Sequence, residues 1–180
     1  MANLGTVNNK DGLVVQMSGD YQKFNGPYNN RLRAINTVGP TKWYVMDFDL
    51  ETVGASATFF PHDLDNDGTR DGFHVGEAYL PAGSCILRGY VITKEVAAGG
   101  TDFTVGTYQV GGTVIDADAI VDATDGAAAN MSVVGERIDI SGALLTSTTA
   151  AVTADSWVAI TTNGTFTAGK GTLIFEVFNA

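Results

Sequence analysis

The sequence predicts an all-β protein: an antiparallel β-sandwich, jelly-roll-like, of about eight strands over residues 41–180, carrying an extended arm over residues 1–40. Three observations predict it. Apolar and polar residues alternate with period two in several separate stretches, the pattern of strands with one buried face. The chain holds 22 Gly among 180 residues, many of them between the stretches, where turns need them. It also holds 21 Thr, while charged residues make up only 17%, a balance that favours pleated, half-buried surfaces over solvated helices. A length of 180 residues corresponds to about one domain with one core.

The elements follow in order. Residues 13–17 are a short strand candidate within the arm. In "KWYVMDFDLETV", Tyr44, Met46, Phe48 and Leu50 alternate with Val45, Asp47 and Asp49, which fits a half-buried strand. "SATFF" (56–60) is a short run of β-formers. "SCILRGYVITKEV" (84–96) is the longest candidate, and Gly89 within it predicts a bulge or a close backbone neighbour. "DFTVGTYQV" (102–110) follows Gly99 and Gly100, so the two are expected to form an antiparallel hairpin. "DADAIVDAT" (116–124) is expected to be one or two helical turns entered at Asp116. "GALLTSTTAAV" (142–152), "SWVAITT" (156–162) and "GTLIFEVF" (171–178) complete the strands. In the last of these, Leu173, Phe175 and Val177 face one way, and Ile174, Glu176 and Phe178 the other.

Charge narrows the function classes. The formal net charge is −10, so phosphate backbones and anionic lipid repel the chain and neither nucleic acid nor membrane is expected as a partner. No run of about 18 apolar residues occurs, and the first twelve residues have no apolar signal core, so synthesis in a cytoplasm is expected. The charge is uneven. Residues 1–46 hold Lys10, Lys23, Arg31, Arg33 and Lys42 against Asp11 and Asp20, leaving the remainder strongly acidic. The arm is therefore mildly cationic and Asn-rich. Lys10, Tyr21, Lys23, Phe24, Tyr28, Arg31 and Arg33 are its candidate contacts with a neighbouring subunit, in the manner of a segment that orders on binding. An ordinary strand-and-turn segment of the same domain is the other reading of these residues.

Catalytic patterns are missing. The sequence has no G-x-S-x-G, no H-E-x-x-H and no phosphate-binding G-x-x-x-x-G-K-[ST], so a non-enzymatic protein is expected. His62 and His74 are the only imidazoles and Cys85 the only thiol, too few for an intrachain disulfide or a zinc site.

One motif stands out. "DLDNDGTRDG" sets Asp63, Asp65, Asp67 and Asp71 in the spacing of a calcium loop, with Gly68 to turn the chain and the Thr69 carbonyl as a further oxygen. His74 occupies the place of the bidentate Glu of an EF-hand, so the loop is of another kind. A cation site and a solvated acidic turn both fit these residues. No cofactor is otherwise required; Ca2+ is the one candidate.

The C-terminal half carries a resemblance. "YLPAGSCILRGYVITKEV", "VGTY" with "GTVIDADAIVDA", and "FTAGKGTLIFEV" together resemble small virion structural proteins of tailed bacteriophages, of the capsid decoration or cement type, over residues 80–178. The resemblance implies a non-enzymatic protein on the capsid surface of a virion. There it would bind the major capsid protein, bridge neighbouring subunits and stabilise the mature head, commonly as an oligomer; a homotrimer is expected, since shells offer threefold sites. Residues 1–79 are not matched by it. A calcium-dependent head-fibre or tail-fibre module that binds a receptor glycan is the alternative, with the acidic loop as its site.

Overall fold

A computed structural model describes residues 6–8, 14–16, 31–36, 41–59, 80–109, 113–146 and 151–178. The N-terminal part contributes strands β1 (Thr6–Asn8), β2 (Val14–Gln16) and β3 (Arg31–Asn36). Strand β4 (Thr41–Asp49) runs into a single helical turn, α1 (Leu50–Val53), and β5 (Thr58–Phe59) follows. Asp49 caps the turn, its side chain accepting a hydrogen bond from the Glu51 N–H at 3.2 Å, which satisfies a donor the helix leaves open. Then come β6 (Cys85–Gly99), β7 (Asp102–Tyr108), β8 (Val114–Val121), a 3₁₀ turn (Ala128–Asn130), β9 (Arg137–Asp139), α2 (Ala143–Thr146), β10 (Trp157–Asn163) and β11 (Phe166–Phe178).

The strands form two main antiparallel sheets, ordered β5-β10-β7-β8 and β3-β4-β11-β6-β9, and β1 pairs with β2 in a separate ribbon. The sandwich expected from the alternation is present. Met46 and Phe48 of β4 and Leu173 and Phe175 of β11 share one buried cluster with Phe103 and Val105 of β7 and Val158 and Ile160 of β10. Phe48 and Phe103 join the layers directly, their ring centroids 5.1 Å apart. Tyr44 stacks on Phe175 within the larger sheet at 5.4 Å. The alternation of β11 is as expected, with Leu173, Phe175 and Val177 buried and Phe178 exposed.

Three expectations are corrected. The stretches 84–96 and 102–110 do not form a hairpin. β6 pairs with β11 and β9, whereas β7 pairs with β10 and β8. Gly99 and Gly100 have φ of 70° and 58°, the left-handed region that glycine enters without steric cost. Two such residues in succession turn the chain out of one sheet and into the other. Gly164 (φ 90°) does the same between β10 and β11. The two corners pack together: the Thr101 N–H donates to the Asn163 carbonyl at 2.8 Å, and a Cβ on Gly100 would lie 2.4 Å from the Phe166 ring.

Residues 116–121 belong to strand β8, not a helix. Ala119, Ile120 and Val121 are buried in the core, and Val114, Asp116 and Val121 pair with β7, so tertiary burial overrides the local pattern. The capping character read at Asp116 survives in a local form, its side chain accepting from the Asp118 N–H at 3.3 Å. Conversely, 143–146 form a helical turn rather than a strand. The Ala-Leu-Leu run favours it, and Leu144 and Leu145 pack partly buried against the core.

Gly89 has the close neighbours its position predicted. A Cβ there would meet Ile140 Cδ1 at 2.6 Å and Phe175 Cβ at 2.7 Å. The pairing of β6 with β11 also shifts register between Glu176 and Val177, opposite Leu87.

Two substitutions test this core. Phe48→Ala removes the ring that joins the layers and is expected to cost about 3–5 kcal/mol in urea unfolding. Thr93 is fully buried and its hydroxyl has no partner among the described residues, so Thr93→Val is expected to raise stability by about 1–2 kcal/mol in the same assay.

Candidate functional site

The outward face of the five-stranded sheet is built in rows by strand register. Glu176 on β11 lies between Trp43 on β4 and Arg88 on β6. The next row runs Val45, Ile174, Tyr90 and Asp139, and the next Asp47, Thr172, Ile92 and Arg137. Arg33 of β3 is paired with Val45, and Arg31 with Asp47. The outward face of such a sandwich is ordinarily polar. Here it interleaves two large aromatics and three branched aliphatics with guanidinium and carboxylate groups.

Ionic and aromatic contacts fix these side chains. Arg88 Nε donates to Glu176 Oε2 at 2.8 Å, while its guanidinium lies 5.3 Å from the Trp43 ring centroid. Arg137 sits 4.5 Å from the Tyr90 ring centroid and pairs with Asp139 at 2.6 Å. Thr172 Oγ1 donates to Asp47 Oδ1 at 2.7 Å. Such pairs at a surface add little stability. They do hold flat, rotamer-restricted groups in one geometry before any partner arrives, which lowers the ordering cost of association. Trp, Tyr and Arg are also the residues that dominate the energetics of protein interfaces. Chemically, then, the face offers the residue types that protein interfaces use.

Towards the corner end of β11, Lys170 Nζ lies 2.8 Å from Glu95 Oε2 and 3.6 Å from Asp49 Oδ2. The hydrogen bond to Glu95, then the charge of Asp49, holds this ammonium above its ordinary range. On β8 the Asp118 carboxyl is raised above its ordinary 3.8, first by a shared hydrogen bond with Asp116, then by burial and by the Asp116 and Asp122 charges.

The metal-loop residues Asp63, Asp65, Asp67, Thr69 and Asp71 lie outside the described residues, as do Lys10, Tyr21, Lys23, Phe24, Tyr28, His62 and His74. The described flanks of the loop pair with neighbouring residues of one segment, one within β10 and one just before it. Phe59 pairs with Ile160 of β10, and Leu80 bridges to Ser156, four positions earlier in the chain. Among the described residues no group of three or more His, Cys, Asp or Glu is placed to hold a metal, and no helix is long and apolar enough to cross a membrane. Cys85 is half-buried at the start of β6, its thiol 3.8 Å from the Gly83 carbonyl. Sequence reasoning missed the outward face. Trp43 and Glu176 are 133 positions apart, and only the register of β4, β6 and β11 brings them together with Arg88.

No family model matches the chain, and no curated protein matches it. Among solved structures, a chain of the "Cyanophage Pam1 capsid asymmetric unit" is similar, with 12% identity and a TM-score of 0.48 over 91% of this chain and 98% of that one. A likeness at this level carries no argument about function.

The carboxylate pair on β8 has a testable consequence. A carboxyl raised in the folded state favours folding in its protonated form, so stability falls as pH rises from 3.8 through the raised value. Asp118→Asn is expected to raise the melting midpoint at pH 7, and the gain should vanish near pH 3.

Proposed function

We propose that the chain is a non-enzymatic capsid decoration (cement) protein of a tailed phage. In this reading it binds the outer surface of the major capsid protein shell as a homotrimer, bridges neighbouring subunits and stabilises the mature head. One observation carries the proposal: the Trp43–Glu176–Arg88 and Tyr90–Arg137–Asp139 contacts order an aromatic and guanidinium surface on a rigid sheet. The resemblance of residues 80–178 to phage decoration proteins and the lack of catalytic sequence patterns support it. Net acidity suits a protein added to the outside of a shell and kept off the nucleic acid within.

The test is copy number in purified particles, by quantitative mass spectrometry against the major capsid protein. A ratio between one-third and one is expected; absence from the particle overturns the proposal. Trp43→Ala combined with Arg88→Ala is expected to weaken shell binding by about 2 kcal/mol, roughly thirtyfold, with the fold unchanged by circular dichroism.

The pairing of the two flanks of residues 60–79 with Ile160 and Ser156, four positions apart, favours a second reading, a calcium-dependent module that binds a receptor glycan through the Asp63, Asp65, Asp67, Thr69 and Asp71 loop. Held flanks bring the ends of a long excursion close together, which lets four carboxylates converge on one cation. In this reading millimolar calcium raises the melting midpoint and chelator reverses it. Asp65→Ala and Asp67→Ala then abolish both the shift and glycan binding. An unchanged midpoint leaves the loop an acidic turn.

A further inference from the structure

The two main sheets have four edges, and three of them are closed or blunted. β5 is two residues long and β9 three, and β9 carries Arg137 and Asp139, an ion pair that discourages further pairing. β8 is overlaid where Gly142 approaches the Ala119 carbonyl so closely that a Cβ would lie 2.5 Å from it. The fourth edge is β3. It is six residues long and paired with β4 on one side, and among the described residues no strand lies on the other.

A second unsatisfied element stands in the same part of the chain. Among the described residues β1 and β2 pair only with each other, Val7 opposite Val15. A two-stranded ribbon alone is marginal in water and gains stability from a third strand. Among the described residues, then, β3 presents an open edge, and the ribbon ahead of it has no third strand.

We infer that the β1–β2 ribbon of one copy adds to the β3 edge of a second copy of this chain, so that association proceeds by strand addition. The connecting length decides between the chain's own edge and another's. Adjacent antiparallel strands are joined by two to five residues, whereas residues 17–30 number fourteen. Fourteen residues extend to about 45–50 Å, more than the roughly 40 Å breadth of a 180-residue domain. Within a single copy the ribbon leaves its own β3 edge unpaired among the described residues. Donation from each copy to the next in one direction is heterologous and closes into a ring when the rotation permits. This deepens the self-association in the reading above and does not depend on a shell.

The experiment uses the full chain in solution, with residues 1–16 deleted in a second preparation. Mass photometry is expected to show an oligomer for the full chain. The deletion should reduce that species at least tenfold at equal concentration, with the β-sheet circular dichroism retained. Independently, a photo-crosslinker replacing Val15 is placed in a mixture of light- and heavy-isotope copies. Crosslinks to residues 31–36 of the opposite label are expected. An oligomer untouched by the deletion, or crosslinks confined to the same label, overturns strand addition while leaving self-association intact. A monomeric full chain overturns both, and shell binding is then judged separately by copy number.

Discussion

Everything in this fold depends on two glycine corners that touch. β6 with β7 and β10 with β11 are two long segments, each bent at left-handed glycines and each passing from one sheet to the other. Because the bends meet, through the Thr101 to Asn163 hydrogen bond and the Phe166 ring over Gly100, the two segments stay paired with one another on both sides of the fold. The layers are thereby set face to face before any side chain is considered. Phe48 and Phe103 then fill the space between them.

The corner also explains which parts of the fold were legible. β4, β6 and β11 were readable because each has one buried and one outward face, and a period of two follows directly. The hairpin expected at Gly99 and Gly100 was a sound inference from turn chemistry alone. What it lacked was the fact that a two-glycine turn serves equally well to change sheets, a choice made by partners some sixty residues away. β8 was hidden for a related reason. Aspartates 116 and 118 resemble a helix entry, and only the burial of Ile120 and Val121 beneath the opposite layer settles the matter. Gly142 and the Ala-Leu-Leu after it show the reverse, a local helical preference that the packing leaves in place.

The outward face was the least legible feature and the most informative one. Trp43, Arg88 and Glu176 each read as an ordinary strand residue in sequence. Their adjacency follows from register, which is fixed by the inward residues on the same strands: Leu173 opposite Met46 and Val91 sets Glu176 opposite Trp43 and Arg88. The core thus specifies the surface. A slip of one residue in β11 would turn the core side chains outward and dismantle the face together. The acidic loop offers the opposite case, a motif plain in sequence whose chemistry depends on residues beyond those the structure describes.

The place of β11 has a consequence for the order of events during synthesis. Although it is the last described element in the chain, it lies in the middle of the larger sheet, with β4 on one side and β6 on the other. A growing chain that has delivered β4 and β6 holds two strands with a gap between them, and nothing available can fill it. The fold therefore cannot be completed piecemeal from the N-terminal side as it leaves the ribosome. The larger sheet is complete only once β11 joins β4 to β6, a long-range pairing of the kind that folds slowly.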